Sequence, residues 1–177
     1  MAGDRSWPDM RRFPSYPGCP VCGTPEANPH TLGVRWEWES SIRTVVGRFR
    51  PGIHHLGYEN RLHGGLLSAL LDEAMAWACA VRMGSYCVTG DLQVRFKNAA
   101  PVGEILVVTG RADGDGWGPY VRATGEARGA DGTLLASAAA TFAALPRPES
   151  ERLREALAFE PGDMDVLAGD GPDADPR

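Results

Sequence analysis

The chain has 177 residues, of which 43% are hydrophobic and 23% charged, with a formal net charge of -5. These values are ordinary for a single globular domain with a full core and short tails. Aspartates within residues 162–177 supply most of the negative charge, so the remainder is close to neutral and lacks the basic surface that nucleic-acid binding requires. Neither a run of about 18 apolar residues nor a secretory signal within Met1 to Pro14 is found. We therefore expect a cytoplasmic protein with reduced thiols that binds neither nucleic acid nor membranes.

The N-terminal residues up to about Pro17 are rich in proline and charge, and we expect irregular backbone there. The segment Cys19-Pro20-Val21-Cys22-Gly23 follows. A CxxC knuckle can hold zinc, but a second CxxC is missing and the two remaining cysteines lie inside predicted elements. Candidate further ligands are His30, His54 and His55. A tight structural turn is the favoured interpretation, and no metal is expected.

Alternating apolar and polar residues predict strands at Leu32–Glu39 and Ile42–Phe49, joined by a short turn. A polar loop without periodicity, Pro51–Leu62, leads into the central helix of the chain. That helix is predicted from about His63 to Met83 and ends before Gly84.

The helix is apolar on nearly every face, which is typical of a buried core helix. Asp72 and Glu73 interrupt the apolar surface, and a buried carboxylate is costly unless it is paired or hydrogen-bonded. His63, Gly64 and Gly65 precede the first apolar turn, so bare backbone N–H groups are expected at the positive end of the helix dipole, where an oxyanion can bind.

Period-two alternation then predicts four long strands with glycine-rich turns between them, including a turn at Asp113–Gly116. These strands are Tyr86–Lys97, Ile105–Ala112, Tyr120–Arg128 and Leu134–Leu145. Short links imply antiparallel neighbours. The predicted class is α+β, with one long central helix wrapped by a curved antiparallel sheet of about six strands. The predicted organisation is an irregular segment at 1–17, a domain at 18–146 with a CxxC lead-in at 18–31, and a short helix with an acidic disordered tail at 147–177.

The pattern N-x-x-H-G-G-x-x-x-x-L-L-D-E-A from Asn60 resembles the hotdog-fold acyl-CoA thioesterases, with weaker matches at Thr89–Phe96 and Asp131–Ala136. It is most similar to the phenylacetate-pathway, PaaI-type thioesterases, including a subgroup with a C-x-x-C-G segment ahead of the domain. The resemblance spans about Cys19 to Leu145.

The resemblance implies hydrolysis of an acyl-CoA or acyl-carrier thioester by a homodimer or dimer of dimers, without metal or redox cofactor. In such enzymes the amide after the histidine polarises the thioester carbonyl, which falls here on Gly64 with Gly65 beside it. The helix carboxylate that acts as base or nucleophile falls on Asp72. A strand hydroxyl that helps to place the attacking water falls on Thr89.

Gly64 and Asp72 are eight residues apart, which corresponds to ~12 Å along a helix axis. One thioester carbonyl cannot contact both. A working site therefore combines Gly64 of one chain with Asp72 of another unless a different donor polarises the carbonyl, and a two-fold dimer with adjacent helices achieves this twice.

Further substrate contacts are expected around this pair. Asp91 is predicted to face the same side of its strand as Thr89, with Arg95 continuing that face toward the coenzyme A phosphates. The candidate substrate-binding residues are Asn60, His63, Asp91, Arg95 and Trp77. Glu73 points about 100° away from Asp72 and is interpreted as structural, paired with Arg61 or Arg82.

Two alternatives stay open. A hotdog acyl-thioester dehydratase or hydratase would need a protic partner such as His63 beside the carboxylate. A non-catalytic acyl-CoA-binding module is the second, because Gly57 stands where many relatives carry a polar asparagine or glutamine six residues before the histidine.

Overall fold

A computed structural model describes residues 10–168 of the chain. Its strands are β1 Met10–Arg12, β2 Trp36–Glu39, β3 Thr44–Phe49, β4 Leu56–Tyr58, β5 Arg61–Leu62, β6 Cys87–Phe96, β7 Leu106–Trp117, β8 Tyr120–Gly129 and β9 Leu134–Ala144. The helices are α1 Gly64–Met83 and α2 Arg147–Ala156.

Seven strands form one antiparallel sheet in the order β1-β2-β3-β7-β8-β9-β6, and β4 pairs with β5 in a separate hairpin. Helix α1 lies across the sheet and contacts β3, β6, β7, β8 and β9. The predicted α+β fold, a sheet curved round one long helix, is confirmed. The described sheet has seven strands rather than about six because the short β1 adds an edge next to β2.

Helix α1 forms where the sequence predicts it, and its ends follow ordinary capping chemistry. His63 is the N-cap, and Gly84 ends the helix in the left-handed conformation, with φ of 58°. By length and apolar composition α1 resembles a membrane-spanning helix. Its buried residues, among them Leu70, Leu71 and Ala74, pack inside the domain, which accounts for that composition.

Glycine in the sheet permits the close approach between α1 and β7. A Cβ atom on Gly110 would lie 2.4 Å from the backbone carbonyl carbon of Ala74, so only glycine fits between this strand and the helix. The backbones of the core helix and of strand β7 are therefore in direct contact at Ala74 and Gly110.

The predicted turn at Asp113–Gly116 is wrong. Strand β7 continues to Trp117, which pairs with Tyr120, and a register irregularity between Asp113 and Trp117 absorbs the extra residues. Gly118, with φ of 61°, makes the turn instead. The glycines inside β7 thus mark an irregular strand rather than its end.

Both ends of the described chain pack against the domain. Met10–Arg12, inside the segment expected to be irregular, forms β1, and Met164 N–H donates to Arg12 C=O at 2.7 Å. Met164 and Val166, beyond α2 in the segment expected to be disordered, are buried. The remainder of the acidic tail lies outside the described residues.

Candidate active site

The start of α1 is shaped by His63. Its Nδ1 accepts the N–H of Gly65 at 2.9 Å, so the imidazole caps the helix. Within residues 10–168 the N–H of Gly64 has no hydrogen-bond acceptor. A Cβ on Gly64 would lie 3.2 Å from the ring of Phe96, so β6 ends against this turn. The amide of Gly64 is therefore the open donor at the helix start, whereas that of Gly65 is engaged.

The hairpin of β4 and β5 leads into the helix and explains Gly57. A Cβ at Gly57 would lie 2.9 Å from the Cα of His63, so the chain has no room there for an asparagine or glutamine. Asn60 makes the hairpin turn in the left-handed conformation, with φ of 55°. Its backbone carbonyl accepts the N–H of Val102 at 3.3 Å. Asn60 thus has a structural role in the hairpin, in addition to the substrate contact predicted for it.

Asp72 and Thr89 are brought together as the resemblance implies. Thr89 Oγ1 donates to Asp72 Oδ1 at 2.9 Å, joining α1 to the beginning of β6. Burial raises the pKa of Asp72, and the hydrogen bond from Thr89 opposes that rise. A half-buried carboxylate with a raised pKa and a hydroxyl beside it is suited to accept a proton from water or to attack a carbonyl carbon.

Asp91 and Arg95 do not share a face with Thr89, so that prediction is wrong. The register of β6 against β9 shifts between Thr89 and Asp91, which places Gly90 in a bulge. Leu92 and Val94 pack against the core. Because side chains alternate along a strand, Asp91 and Arg95 therefore point to the other face of the sheet.

On that other face, Arg95 lines an open groove of about 690 Å³ together with polar side chains of neighbouring strands. Asp91 lines an adjacent depression with Asp113 and Arg122. Within one chain, neither side chain reaches the face that carries Asp72.

Trp77 belongs to the core on another side of α1. Its ring stacks on Phe13 at a centroid distance of 4.6 Å and meets Tyr86 edge-on at 6.1 Å. Five residues along a helix correspond to a rotation of about 140° from Asp72. Within one chain Trp77 therefore lies away from Asp72, and its predicted role in binding a substrate at that carboxylate has no support there.

Glu73 has partners that the sequence did not indicate. Its Oε1 accepts the indole N–H of Trp36 at 3.1 Å, and its Oε2 shares a hydrogen bond with Cys19 Sγ at 3.3 Å. The predicted pairing with Arg61 or Arg82 is wrong. Burial and the neighbouring Cys19 raise the pKa of Glu73 to about 8.

Helix α1 is continuous from Gly64 to Met83. The amide of Gly64 and the carboxylate of Asp72 are therefore held ~12 Å apart along one helix, too far to act on one carbonyl within a single chain. The described chain offers an amide donor at one end of β6, next to Phe96, and a carboxylate with a hydroxyl at the other, next to Thr89.

Known proteins share the fold of this chain. The family model described as thioesterase superfamily matches residues 59–113, which include the helix start, α1 and β6. No curated protein matches the chain. The chain has a hotdog fold, as the resemblance in its sequence predicts.

Among solved structures, a thioesterase superfamily protein is similar with 28% identity and a TM-score of 0.64, over 72% of this chain and 60% of that one. The chain thus spans less than two thirds of that protein. The E. coli PaaI protein from the phenylacetic acid degradation operon is similar with 19% identity and a TM-score of 0.58, over 65% of this chain and 81% of that one. A Streptococcus mutans protein bound to acetyl-CoA has 20% identity and a TM-score of 0.53, over 58% of this chain and 81% of that one.

Proposed function

We propose that the protein hydrolyses an acyl-CoA or acyl-carrier thioester to a free acid and a thiol. The observation that carries the proposal is the hydrogen bond of Thr89 to Asp72, at 2.9 Å, on the face of a core helix that begins with an open glycine amide. Thioester hydrolysis requires an activated water or carboxylate nucleophile and a donor for the carbonyl oxygen. Asp72 supplies the first and Gly64 the second, while Thr89 orients the carboxylate or the attacking water.

The site is completed by a second copy of the chain. Strand β6 forms one edge of the described sheet, and its ten residues present an unpaired backbone edge. Antiparallel pairing of β6 with the same strand of a partner would bring the Phe96 end of one chain next to the Thr89 end of the other. Because Phe96 packs on Gly64 and Thr89 holds Asp72, this pairing unites the amide of one chain with the carboxylate of its partner.

Exposed apolar side chains favour the same interface. Phe96 is 56% exposed, and Ile53, Leu56 and Tyr58 are exposed in the segment that leads to His63. Large apolar side chains clustered round a helix start are more often covered by a partner or ligand than left in water. A homodimer, or a dimer of such dimers, would cover them.

Relatives support the substrate class. A similar structure holds acetyl-CoA and another holds coenzyme A. The bond of His63 Nδ1 to the Gly65 amide commits that nitrogen to capping and leaves Nε2 as a donor, so this bond does not distinguish hydrolysis from a dehydratase in which His63 is the protic partner. Gly57 is explained by its contact with His63, so a missing polar residue there no longer favours a non-catalytic module.

The first experiment is thiol release from short, long-chain and aromatic acyl-CoAs by wild type and Asp72→Asn. Turnover of one class by wild type, with a loss of at least about 100-fold in the variant while it remains dimeric, supports the proposal. Binding without thiol release, or full activity of Asp72→Asn, would refute it.

The shared site is tested by mixing subunits. Gly64→Pro removes the amide proton, and proline is tolerated at the first helical position, where the preceding His63 already has the extended backbone (φ −61°, ψ 128°) that proline requires. Gly64→Ala is the matched control, because it keeps the N–H while adding the same Cβ next to Phe96. Refolding inactive Gly64→Pro with inactive Asp72→Asn should restore roughly a quarter of the wild-type rate, since half of the dimers are mixed and each holds one intact site. Absence of rescue, with both variants folded and dimeric, would refute a site that combines Gly64 of one chain with Asp72 of the other.

A further inference from the structure

A cluster of three metal-ligating side chains lies on the side of α1 that the proposed reaction does not use. Cys19 Sγ, Cys22 Sγ and a carboxylate oxygen of Glu73 all lie within 4.8 Å of one another. Glu73 is about 100° round the helix from Asp72, so the cluster is separate from the proposed catalytic face. The cysteines come from the segment before β2 and the glutamate from the core helix.

The cysteine segment has the geometry of a sulfur-binding turn. The N–H groups of Val21 and Cys22 point at Cys19 Sγ, at 3.2 and 3.4 Å. The N–H of Gly23 donates to Cys19 C=O at 3.1 Å, and a Cβ on Gly23 would lie 2.3 Å from that oxygen, so the turn requires glycine. Amides that point at a sulfur stabilise the thiolate, which is the form that binds a metal.

Glu73 is oriented as a ligand by a neighbouring indole. Trp36, which is 2% exposed, donates its Nε1–H to Oε1 and leaves Oε2 directed at Cys19 Sγ. A metal-binding carboxylate is ordinarily held in this way through its second oxygen. In the described part of the chain, the hydrogen bonds of Glu73 are with this indole and the thiol of Cys19.

We propose that Cys19, Cys22 and Glu73 bind a zinc ion, with a fourth coordination position open to an adjoining cavity. Thiolate and carboxylate ligands suit zinc, whose preferred coordination is tetrahedral, whereas magnesium and calcium prefer oxygen alone. The cavity has a volume of about 410 Å³, and its wall includes Ala76, Trp77 and Leu157. All three ligands would bind in their deprotonated forms, and the cation would neutralise most of their negative charge.

The ion would fasten the N-terminal segment to the core helix. Cys19 and Glu73 are 54 residues apart in sequence. One ion bound to both would therefore close a long loop of the chain. Its expected effect is on stability, because an ion that binds only the folded state raises the unfolding temperature.

The test uses the full chain, reduced and stripped by a chelator, and then supplied with zinc or cobalt alone. Wild type should retain about one zinc per chain after dialysis, and cobalt should give the absorption of tetrahedral thiolate coordination. Cys19→Ser and Cys22→Ser should lose most of this binding. Glu73→Gln, which keeps the side-chain volume and an acceptor for Trp36, should weaken zinc binding by at least about tenfold.

Cys87→Ser is the matched control. Cys87 lines the same cavity, but its thiol is directed at Ser85 C=O at 3.5 Å, so zinc binding should be unchanged. Zinc should raise the unfolding temperature of wild type and Cys87→Ser, and it should raise that of Glu73→Gln much less. If a cysteine variant fails to fold, the zinc affinity of Glu73→Gln tests the proposal instead. Failure of the reduced wild type to bind zinc or cobalt, or wild-type affinity in Glu73→Gln, would overturn the proposal. Neither readout depends on thioester hydrolysis.

Discussion

Two consecutive carboxylates on one helix, Asp72 and Glu73, have very different surroundings. Asp72 is half-buried, and its hydrogen-bond partner is the exposed hydroxyl of Thr89 on an edge strand. Glu73 is held by the indole of Trp36 and the thiol of Cys19. Burial raises the pKa of both groups.

The contrast shows that a carboxylate in an apolar helix is not by itself a sign of catalysis. Both residues interrupt the same apolar pattern, and a rotation of about 100° directs Asp72 to an edge strand of the sheet and Glu73 to the cluster of Trp36 and Cys19. The neighbouring groups differ: Asp72 lies beside an edge strand of the described sheet, whereas Glu73 is surrounded by groups that fix it.

The different roles of Asp72 and Glu73 are tested most directly by neutralising each carboxylate in turn. We expect Asp72→Asn to lose at least about 100-fold in kcat for thioester hydrolysis, because the proposed base is removed. Its thermal stability at neutral pH should be equal to or above that of wild type, since burial disfavours the charged form. Glu73→Gln should keep most of the rate. Loss of activity in both variants, or in Glu73→Gln alone, would contradict the division of roles, and melting curves of both proteins control for folding.

The next largest effect is expected on stability, from loss of the hydrogen bond between the Trp36 indole and Glu73. Trp36→Phe removes the donor to Oε1 and leaves a buried carboxylate less satisfied, with an expected loss of about 1–3 kcal/mol in unfolding free energy. Trp38→Phe is the matched control. Trp38 Nε1 is buried without a hydrogen-bond partner among the described residues, so its removal should cost less. Denaturant unfolding of both variants measures the difference, and equal losses would show that the Trp36 bond contributes nothing specific.

Much of this contrast could be predicted from the sequence, and the reasons are physical. Periodicity predicted α1 and the six longer strands, whereas β1, β4 and β5 lie in segments without periodicity. The HGG-to-Asp spacing linked Asp72 with Thr89 through a family resemblance. The ~12 Å between Gly64 and Asp72 followed from helix geometry alone. These features depend on local repeats and short spacings, which a sequence displays directly.

The errors came from features that local patterns do not contain. The bulge at Gly90 turns Asp91 and Arg95 to the other face, although an isolated glycine in a strand is a signal that could have indicated it. The Glu73 contacts join residues 37 and 54 positions apart. A buried carboxylate requires hydrogen-bond donors, but the sequence alone does not single out Trp36 as the donor among the inward-facing residues.

A smaller effect is expected at the hairpin that precedes the active helix. In Gly57→Ala the new Cβ would lie 2.9 Å from His63 Cα, so the helix start must shift, at an expected cost of about 1–3 kcal/mol. Gly52→Ala is the control, because its Cβ would meet no atom closer than 3.9 Å. Thermal unfolding and kcat/KM should both fall in Gly57→Ala and stay near wild type in Gly52→Ala. Unchanged stability in Gly57→Ala would mean that the missing polar residue has another cause.

The smallest expected effect is that of Thr89 on the pKa of Asp72. Catalysis by Asp72 needs the ionised carboxylate, so the rate should fall as the pH drops through its pKa, which burial has raised. The hydroxyl of Thr89 favours the ionised form. Thr89→Val should therefore raise that pKa further and move the acid limb of the kcat/KM profile to higher pH, whereas Thr89→Ser, which keeps a hydroxyl, should leave it near the wild-type position. A fall in rate of equal size at every pH would instead assign Thr89 to placement of water or substrate, because loss of that role changes the height of the profile and leaves its midpoint in place.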